Sequence, residues 1–561
     1  METVDDVYQT DVLIIGGGGA GARAAIEAKK HNVDVLVVVK GLFGRSGCTV
    51  MAEGGYNAAF GFIDKEDNEQ YHFEDTVNGG RYLNNQKLVE ILVGQAKIRI
   101  IDLERFGGAF DRITPDKLSQ RYFGGQRFRR TVHKGDRTGH EIMFALREEV
   151  TRQNVDVLEE VAITSLLTSE GRVVGATGLD LIHGRFLLFR AKAFIIATGG
   201  AGRIYSITTN PFQKSGDGYA MAFKVGAELV DMEMVQFHPT GMVFPSSSKG
   251  LLVTEAVRGE GGKLYNSLGE RFMARYDAEK MELSTRDIVT RSIFSEIQEG
   301  RASEHGGVYL DISHLPDETI KQKLGTMLKQ FLDVGIDIRR QPMEVSPTAH
   351  HFMGGIRVNE VCRSSISNLF ACGEVSGGVH GANRLGGNSL AETQVFGSIA
   401  GEYAAKEARK LPYGDINYAV LDEEHDRLYR FEEGEGVLPY ELKARLQTTM
   451  WQNVGIIRTE KSLKEAIAEI KEIKNEIYSI KVESGLRYNL ELLAAVDLEN
   501  MLLVAEIITR AALMRKESRG AHFRKDYPRE DRRWLKNIIL SKINDGIEIY
   551  TEAPLITKMK P

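Results

Sequence analysis

Residues 11–21, DVLIIGGGGAG, leave this chain few ways to begin folding. A short apolar strand runs straight into a turn of glycines, ARAAIEAKK then reads as a helix, and VDVLVVVK at 33–40 reads as the next strand. That order is a βαβ unit. Gly16, Gly18 and Gly21 meet the GxGxxG spacing after a strand and at the opening of a helix, the context the motif needs. Glycines there let a pyrophosphate approach the backbone, and the helix N-terminus stabilises its charge.

A chain of 561 residues is too long for one core, so two to four domains are expected. Alternating strands and loops continue to about 235, and a segment rich in loops and polar motifs follows to about 350. SNLFACGE at 367–374 returns to the opening style, and LAETQVFGSIAGEYAAKEARK at 390–410 reads as a helix. From about 440 to 515 apolar residues recur near every 3.6 positions, which predicts a helical domain. The tail from 521 reads as polar and irregular, and no internal repeat is visible.

The net charge of −6 supplies no basic field for nucleic acid or an anionic membrane. No apolar run approaches the ~20 residues that span a bilayer, and METVDDVYQT lacks the features of a signal peptide. The expectation is a cytoplasmic protein, without direct membrane insertion, that reaches a membrane only through partners. Cys48, Cys362 and Cys372 are far apart in sequence and form no CxxC, so no metal cluster is expected in this chain.

Three further glycine-flanked sites support a dinucleotide. FIIATGGAG at 194–202 is a strand ending in a glycine turn around Thr198 and Gly199. SGDG at 215–218 offers Asp217 to ribose or ribityl hydroxyls. LFACGE places Glu374 at a strand end, and GGNSLAE at 386–392 opens a helix. The loop-rich segment and its surroundings carry His238 (QFHPT), Thr254 and Glu255 (VTEAVRGEG), Arg286 (STRDIV), His350 (PTAHH) and Arg384 (GANRLGG). Arginine forks can bind carboxylates two-pronged, but taken singly these residues read as turn histidines and surface or ion-paired arginines.

The order GGGGAG, SGCTVMAEGG, ATGGAG, TNPFQKSGDG, QFHPTG, TEAVRGEGG, PTAHHFMGG, HGANRLGGNSLAE and ESRGAHFRKDYP, spread over about 10–535, resembles the succinate dehydrogenase/fumarate reductase flavoprotein family. L-aspartate oxidase is its sibling, and adenylylsulfate reductase is more distant. The resemblance implies an α/β multidomain chain. A Rossmann-like FAD-binding domain (1–236 and 352–410) would carry an inserted α+β capping domain (237–351), followed by a helical domain (411–520) and a small C-terminal domain (521–561). It also implies hydride exchange between flavin N5 and a four-carbon dicarboxylate, fumarate or succinate, usually with an iron–sulfur partner subunit, though some soluble members use thiols.

By the same resemblance, FAD contacts fall on Gly16, Gly18, Gly19, Ala20 and Gly21 at the pyrophosphate, on Lys40, and on Arg45, Ser46, Gly47, Cys48, Thr49, Ala52, Glu53, Gly54 and Gly55 around the flavin. Ala162 is implied near the adenine, with Asp217, Glu374, Asn388, Ser389 and Leu390 completing the set. His350, Arg384, His238 and Thr254 would hold the carboxylates, Arg286 would deliver a proton, and Glu255 would resupply it. Cys48 stands where many members carry the histidine that bonds the flavin, so a non-covalent FAD is expected. Phe123 in FGGQ stands where L-aspartate oxidase has a glutamate for the substrate ammonium, which favours fumarate and succinate. The other readings are L-aspartate oxidase and a non-catalytic FAD-holding electron-transfer subunit. His351, His380 and His522 are left without a role, His522 standing between a structural one and none.

Overall fold

The computed structural model describes residues 4–432, 434, 436–483, 485, 487–544 and 546–561. The opening strand β1 (Asp6–Ile15) and β2 (Val35–Val38) flank helix α1 (Gly19–Lys29). Both strands are solidly apolar where they pair, the pattern of a sheet covered on both faces. The sheet is completed by β3 (Asp156–Leu158), β4 (Val161–Ser169), β5 (Arg172–Asp180) and β6 (Arg185–Ile196). Their order is β3-β2-β1-β6-β5-β4, with a short strand at Leu369–Ala371 also pairing to β6. The β1, β2 and β3 contacts are parallel, so their C-terminal ends open on one side, where α1 begins.

Helix α2 (Asn388–Ala408) lies against α1. A Cβ on Gly397 would sit 2.6 Å from the Ala20 carbonyl oxygen, and one on Gly401 would sit 2.2 Å from that of Ala24. Small residues on both helices therefore set a close crossing that brings the α2 N-terminus beside the glycine turn.

The stretch read as loop-rich holds an antiparallel sheet. Its strands are β7 (Val235–Met242), β8 (Lys263–Tyr265), β9 (Val308–Asp311) and β10 (Met343–Phe352), in the order β7-β10-β9-β8. A separate apolar core, including Val253, Leu264, Ile293, Leu310, Phe331 and Val345, lies under it. The sequence hides these strands because two are only three and four residues long, too short for their alternation to register, and β7 is buried along its whole length and shows none.

The helices expected at 440–515 are present at Pro439–Asn453, Glu460–Glu476 and Leu490–Met514. Thr459 and Ser462 close a capping box at the second of them. Among the described residues no helix is long and apolar enough to cross a membrane. The irregular tail is a correction. Asn537–Ile543 and Gly546–Glu552 form a hairpin, and its first strand pairs with Leu229–Val230. Ile538, Ile539 and Leu540 are buried, and that three-residue apolar run is too short to read as a strand.

Candidate active site

A cavity of about 610 Å³ runs from the glycine turn to the β7–β10 sheet. Its near end is backbone. Gly16 has φ +107°, and a Cβ there would lie 2.4 Å from the Ala197 carbonyl oxygen. Gly18 caps α1 without a side chain, and Gly19 donates its N–H to Thr49 Oγ1 at 3.1 Å. Farther in, the wall passes over Ala20, Lys40, Ser46 to Thr49, Ala52 to Gly55, Thr198, Gly199, Asp217, Glu374, Ser389 and Leu390.

These residues suit FAD. The walls leave a glycine-lined lane, and two buried polar atoms on it, Thr198 Oγ1 and Glu53 Oε2, have no partner among the described residues. Burial and the charge of Asp136 push the Glu53 carboxyl up to about 8 against the pull of Arg121, so at neutral pH it offers a donor. Lys40 pairs with Asp217 at 2.9 Å and Asp497 at 2.8 Å. Lys214, which the sequence did not single out, pairs with Glu374 at 2.6 Å. Cys48 opens a four-residue helix on the wall, and burial pushes its thiol up to about 11 despite Lys214 nearby.

Four implied contacts lie off the cavity wall. Gly21 packs α1 onto the turn, where a Cβ would meet the Gly16 carbonyl oxygen at 1.9 Å. Arg45 is exposed. Ala162 is buried within β4, and its neighbours Val161 and Ile163 line the cavity instead. Asn388 is fully buried, bonded to Asn57 at 2.7 Å, His72 at 2.8 Å and Thr76 at 3.0 Å.

The far end is built from side chains on separate elements. His238 lies on β7 and His350 on the adjacent β10, with ring centroids 5.3 Å apart. Arg286 starts the helix Arg286–Gln298, and its Nε and Nη2 reach Glu255 Oε2 at 2.9 and 2.8 Å. Arg384 comes from the loop before α2, and its Nε has no partner among the described residues. Thr254 and Phe123 complete this end.

Gln236 is a functional residue that the sequence did not mark. Its Oε1 accepts from Arg384 Nη2 at 2.9 Å and from Arg286 Nη1 at 3.3 Å, while its Nε2 donates to Asn383 and to the Arg384 carbonyl. One buried amide thus fixes the spacing of both guanidinium groups. Behind Glu255 lies Arg258, fully buried. Burial would raise the Glu255 carboxyl, but Arg286 and Arg258 pull it down to about 2. Burial and the charge of Arg286 bring Arg384 down to about 9. Burial likewise holds His238 and His350 well below the usual histidine range, with the surrounding arginines adding to it, so both are neutral hydrogen-bonding groups.

His351, which lines the cavity, joins His380 and Glu392 in a buried cluster, with His380 Nε2 2.9 Å from Glu392 Oε2. His522 is fully buried with its Nδ1 2.7 Å from Arg458 Nη1, a structural position away from the cavity.

Two family models match the chain: the FAD binding domain over residues 11–390 and the fumarate reductase flavoprotein C-term over 443–561. The chain belongs to the fumarate reductase/succinate dehydrogenase flavoprotein family. It is an FAD-dependent oxidoreductase. It is 54% identical over 537 residues to a subunit of the fumarate reductase (CoM/CoB) of Methanothermobacter marburgensis, covering 96% of this chain and 98% of the relative. It is 36% identical to a succinate dehydrogenase flavoprotein subunit of Rickettsia conorii, covering 98% and 96%. Among solved structures, Mycobacterium smegmatis Sdh1 in complex with UQ1 superposes with a TM-score of 0.91 at 42% identity, covering 99% of this chain and 96% of that one. A quinol–fumarate reductase with menaquinol molecules gives 0.93 at 34% identity, covering 99% of each.

Proposed function

We propose that this chain is a catalytic subunit that interconverts fumarate and succinate, with fumarate reduction favoured. The observation that carries the reading is the far end of the cavity. Two arginines bridged by one glutamine, two neutral histidines and a threonine face a space continuous with the flavin lane. Bound FAD supplies hydride exchange at N5, which here is expected to be non-covalent because Cys48 replaces the bonding histidine.

Arg384, His350, His238 and Thr254 hold the two carboxylates. Fixing both ends of a four-carbon dianion orients its double bond, and the enclosed site keeps bulk water from the reacting carbons. Once one alkene carbon has gained a hydride, its neighbour carries negative charge and needs a proton. Arg286 holds that proton on its guanidinium, and the Glu255 carboxylate within hydrogen-bond distance relays to it a proton taken up from solvent, with Arg258 behind. An arginine can act so because the developing carbanion is far more basic than the guanidinium. Phe123 provides no counter-charge for an amine, which disfavours aspartate. The division into FAD-binding, capping, helical and C-terminal parts at 236, 351, 410 and 520 belongs to the same proposal.

Electrons would arrive through a partner protein, an iron–sulfur subunit by family precedent. The relative named for CoM and CoB makes paired thiols the first donor class to test. The deciding experiment supplies a reduced artificial donor to the flavin-loaded protein and compares fumarate reduction, succinate oxidation and aspartate oxidation. Fumarate reduction should be fastest under matched driving force. Faster conversion of aspartate than of either dicarboxylate overturns the reading. Acid denaturation should release the flavin into solution.

A further inference from the structure

We infer that Thr209, backed by Asn210, is a positioning residue that locks His350 in one tautomer, with its proton on Nε2 facing the dicarboxylate. The inference rests on the functional reading above and adds to it residues assigned no role in catalysis there.

The assignment follows from which atoms are able to donate. Asn210 lies with one amide edge toward the His350 carbonyl oxygen, 3.1 Å away, and that oxygen only accepts. The edge is therefore the NH2 group, which fixes the amide's orientation. The same Nδ2 lies 3.4 Å from Thr209 Oγ1, so the hydroxyl oxygen accepts there and keeps its own hydrogen to give elsewhere. Two acceptors are in reach. The Ala349 carbonyl oxygen is 3.5 Å away and already takes the Thr209 backbone N–H at 3.1 Å and the Thr208 hydroxyl at 2.9 Å. His350 Nδ1 is 2.9 Å away. The hydrogen goes to Nδ1. A neutral imidazole accepting at Nδ1 carries its proton on Nε2, and it becomes a fixed donor toward the cavity.

His238 is held differently, and the contrast sharpens the point. Its Nδ1 lies 3.2 Å from the Thr240 N–H and 3.0 Å from the Thr240 carbonyl oxygen. A donor and an acceptor compete for one ring nitrogen, so the backbone does not select a tautomer there. Of the two imidazoles, only His350 has its proton placed by a side chain. A carboxylate accepts hydrogen bonds and donates none, so a fixed Nε2–H matches it without prior rearrangement.

The test uses flavin-loaded protein and reads dicarboxylate affinity from the flavin absorbance, with KM and kcat for fumarate, between pH 5.5 and 8. The titratable groups that face His350 are His238 from β7, which is neutral, and three charged ones, Arg384 from the loop before α2 and Arg286 and Glu255 from the capping side. With the lock intact, affinity in the parent should be flat over this range, because His350 donates while neutral. Thr209→Val keeps shape and removes the hydroxyl. Its affinity should fall roughly tenfold across the range, because the neutral ring can then carry its proton on Nδ1 and burial keeps it from gaining a second. Thr209→Ser should behave as the parent. Thr209→Ala is read in the same way should the valine variant lose its flavin. Parent-like affinity in the hydroxyl-free variant, or a Thr209→Ser variant as weak as it, overturns this inference alone. A parent that binds neither fumarate nor succinate overturns it together with the functional reading beneath it.

Discussion

The two ends of the cavity are built on different principles. The cofactor end is mostly main chain: glycines at 16–19, 47, 54–55 and 199, with a helix N-terminus at α1 and another at α2. The far end, proposed above for the dicarboxylate, is almost all side chain, and its groups come from two strands, a helix start and a loop that lie far apart in the chain. A backbone cradle tolerates change in anything that adds no Cβ. A side-chain cradle fails when one fork is shortened, because each arginine is aimed through a shared partner, Gln236.

The sharpest way to break that comparison is Arg286→Lys. The charge is kept, but the two contacts to Glu255 Oε2 and the one to Gln236 cannot all be remade by one ammonium. Turnover should fall by roughly three orders of magnitude or more while dicarboxylate binding persists, as measured by kcat beside flavin-monitored affinity. Near-normal turnover would remove Arg286 as the proton donor. Arg384→Lys should act on binding instead, weakening affinity by about 10–100-fold as one charge-assisted, two-pronged contact is lost. An affinity unchanged within twofold would show that Arg384 does not hold a carboxylate.

At the other end, Gly21→Val should lower flavin occupancy about tenfold, since the added Cβ collides with the turn and overpacking costs ~1–3 kcal/mol. The flavin-to-protein absorbance ratio of the purified variant reads this directly, and a full complement would mean the turn has slack that the close approach to Gly16 denies. The smallest effect concerns pH. Because Arg384 sits at about 9, its charge is kept below that value and lost above it. Affinity should therefore decline several-fold as pH rises from 8 to 10, and a flat profile would mean that the bound dianion holds the guanidinium charged throughout.

Much of the cofactor end was legible because it is local. GGGGAG joins a strand, a turn and a helix, ATGGAG ends a strand and GGNSLAE opens a helix, and glycine at those points has a local steric reason. The substrate residues could be named only through a family likeness, since His238, Arg286, His350 and Arg384 taken singly read as ordinary polar residues. Gln236, Thr209 and Lys214 lie inside the strings QFHPTG and TNPFQKSGDG, but nothing in those strings set them apart. A glutamine beside a histidine motif looks like any other glutamine until two guanidinium groups converge on it.

The sequence by itself determined the βαβ opening, the dinucleotide turn, the C-terminal helices and the absence of a membrane-length apolar run, because each follows from spacing within one segment. Only the tertiary structure decided which carboxylate meets which cation, as with Glu374 on Lys214 and Glu255 on Arg286. It also decided that burial keeps His238 and His350 neutral and that the tail joins a sheet with residues three hundred positions earlier. Those outcomes depend on burial and on distances between remote residues. Desolvation and charge pairing act through space, and a linear pattern does not encode them.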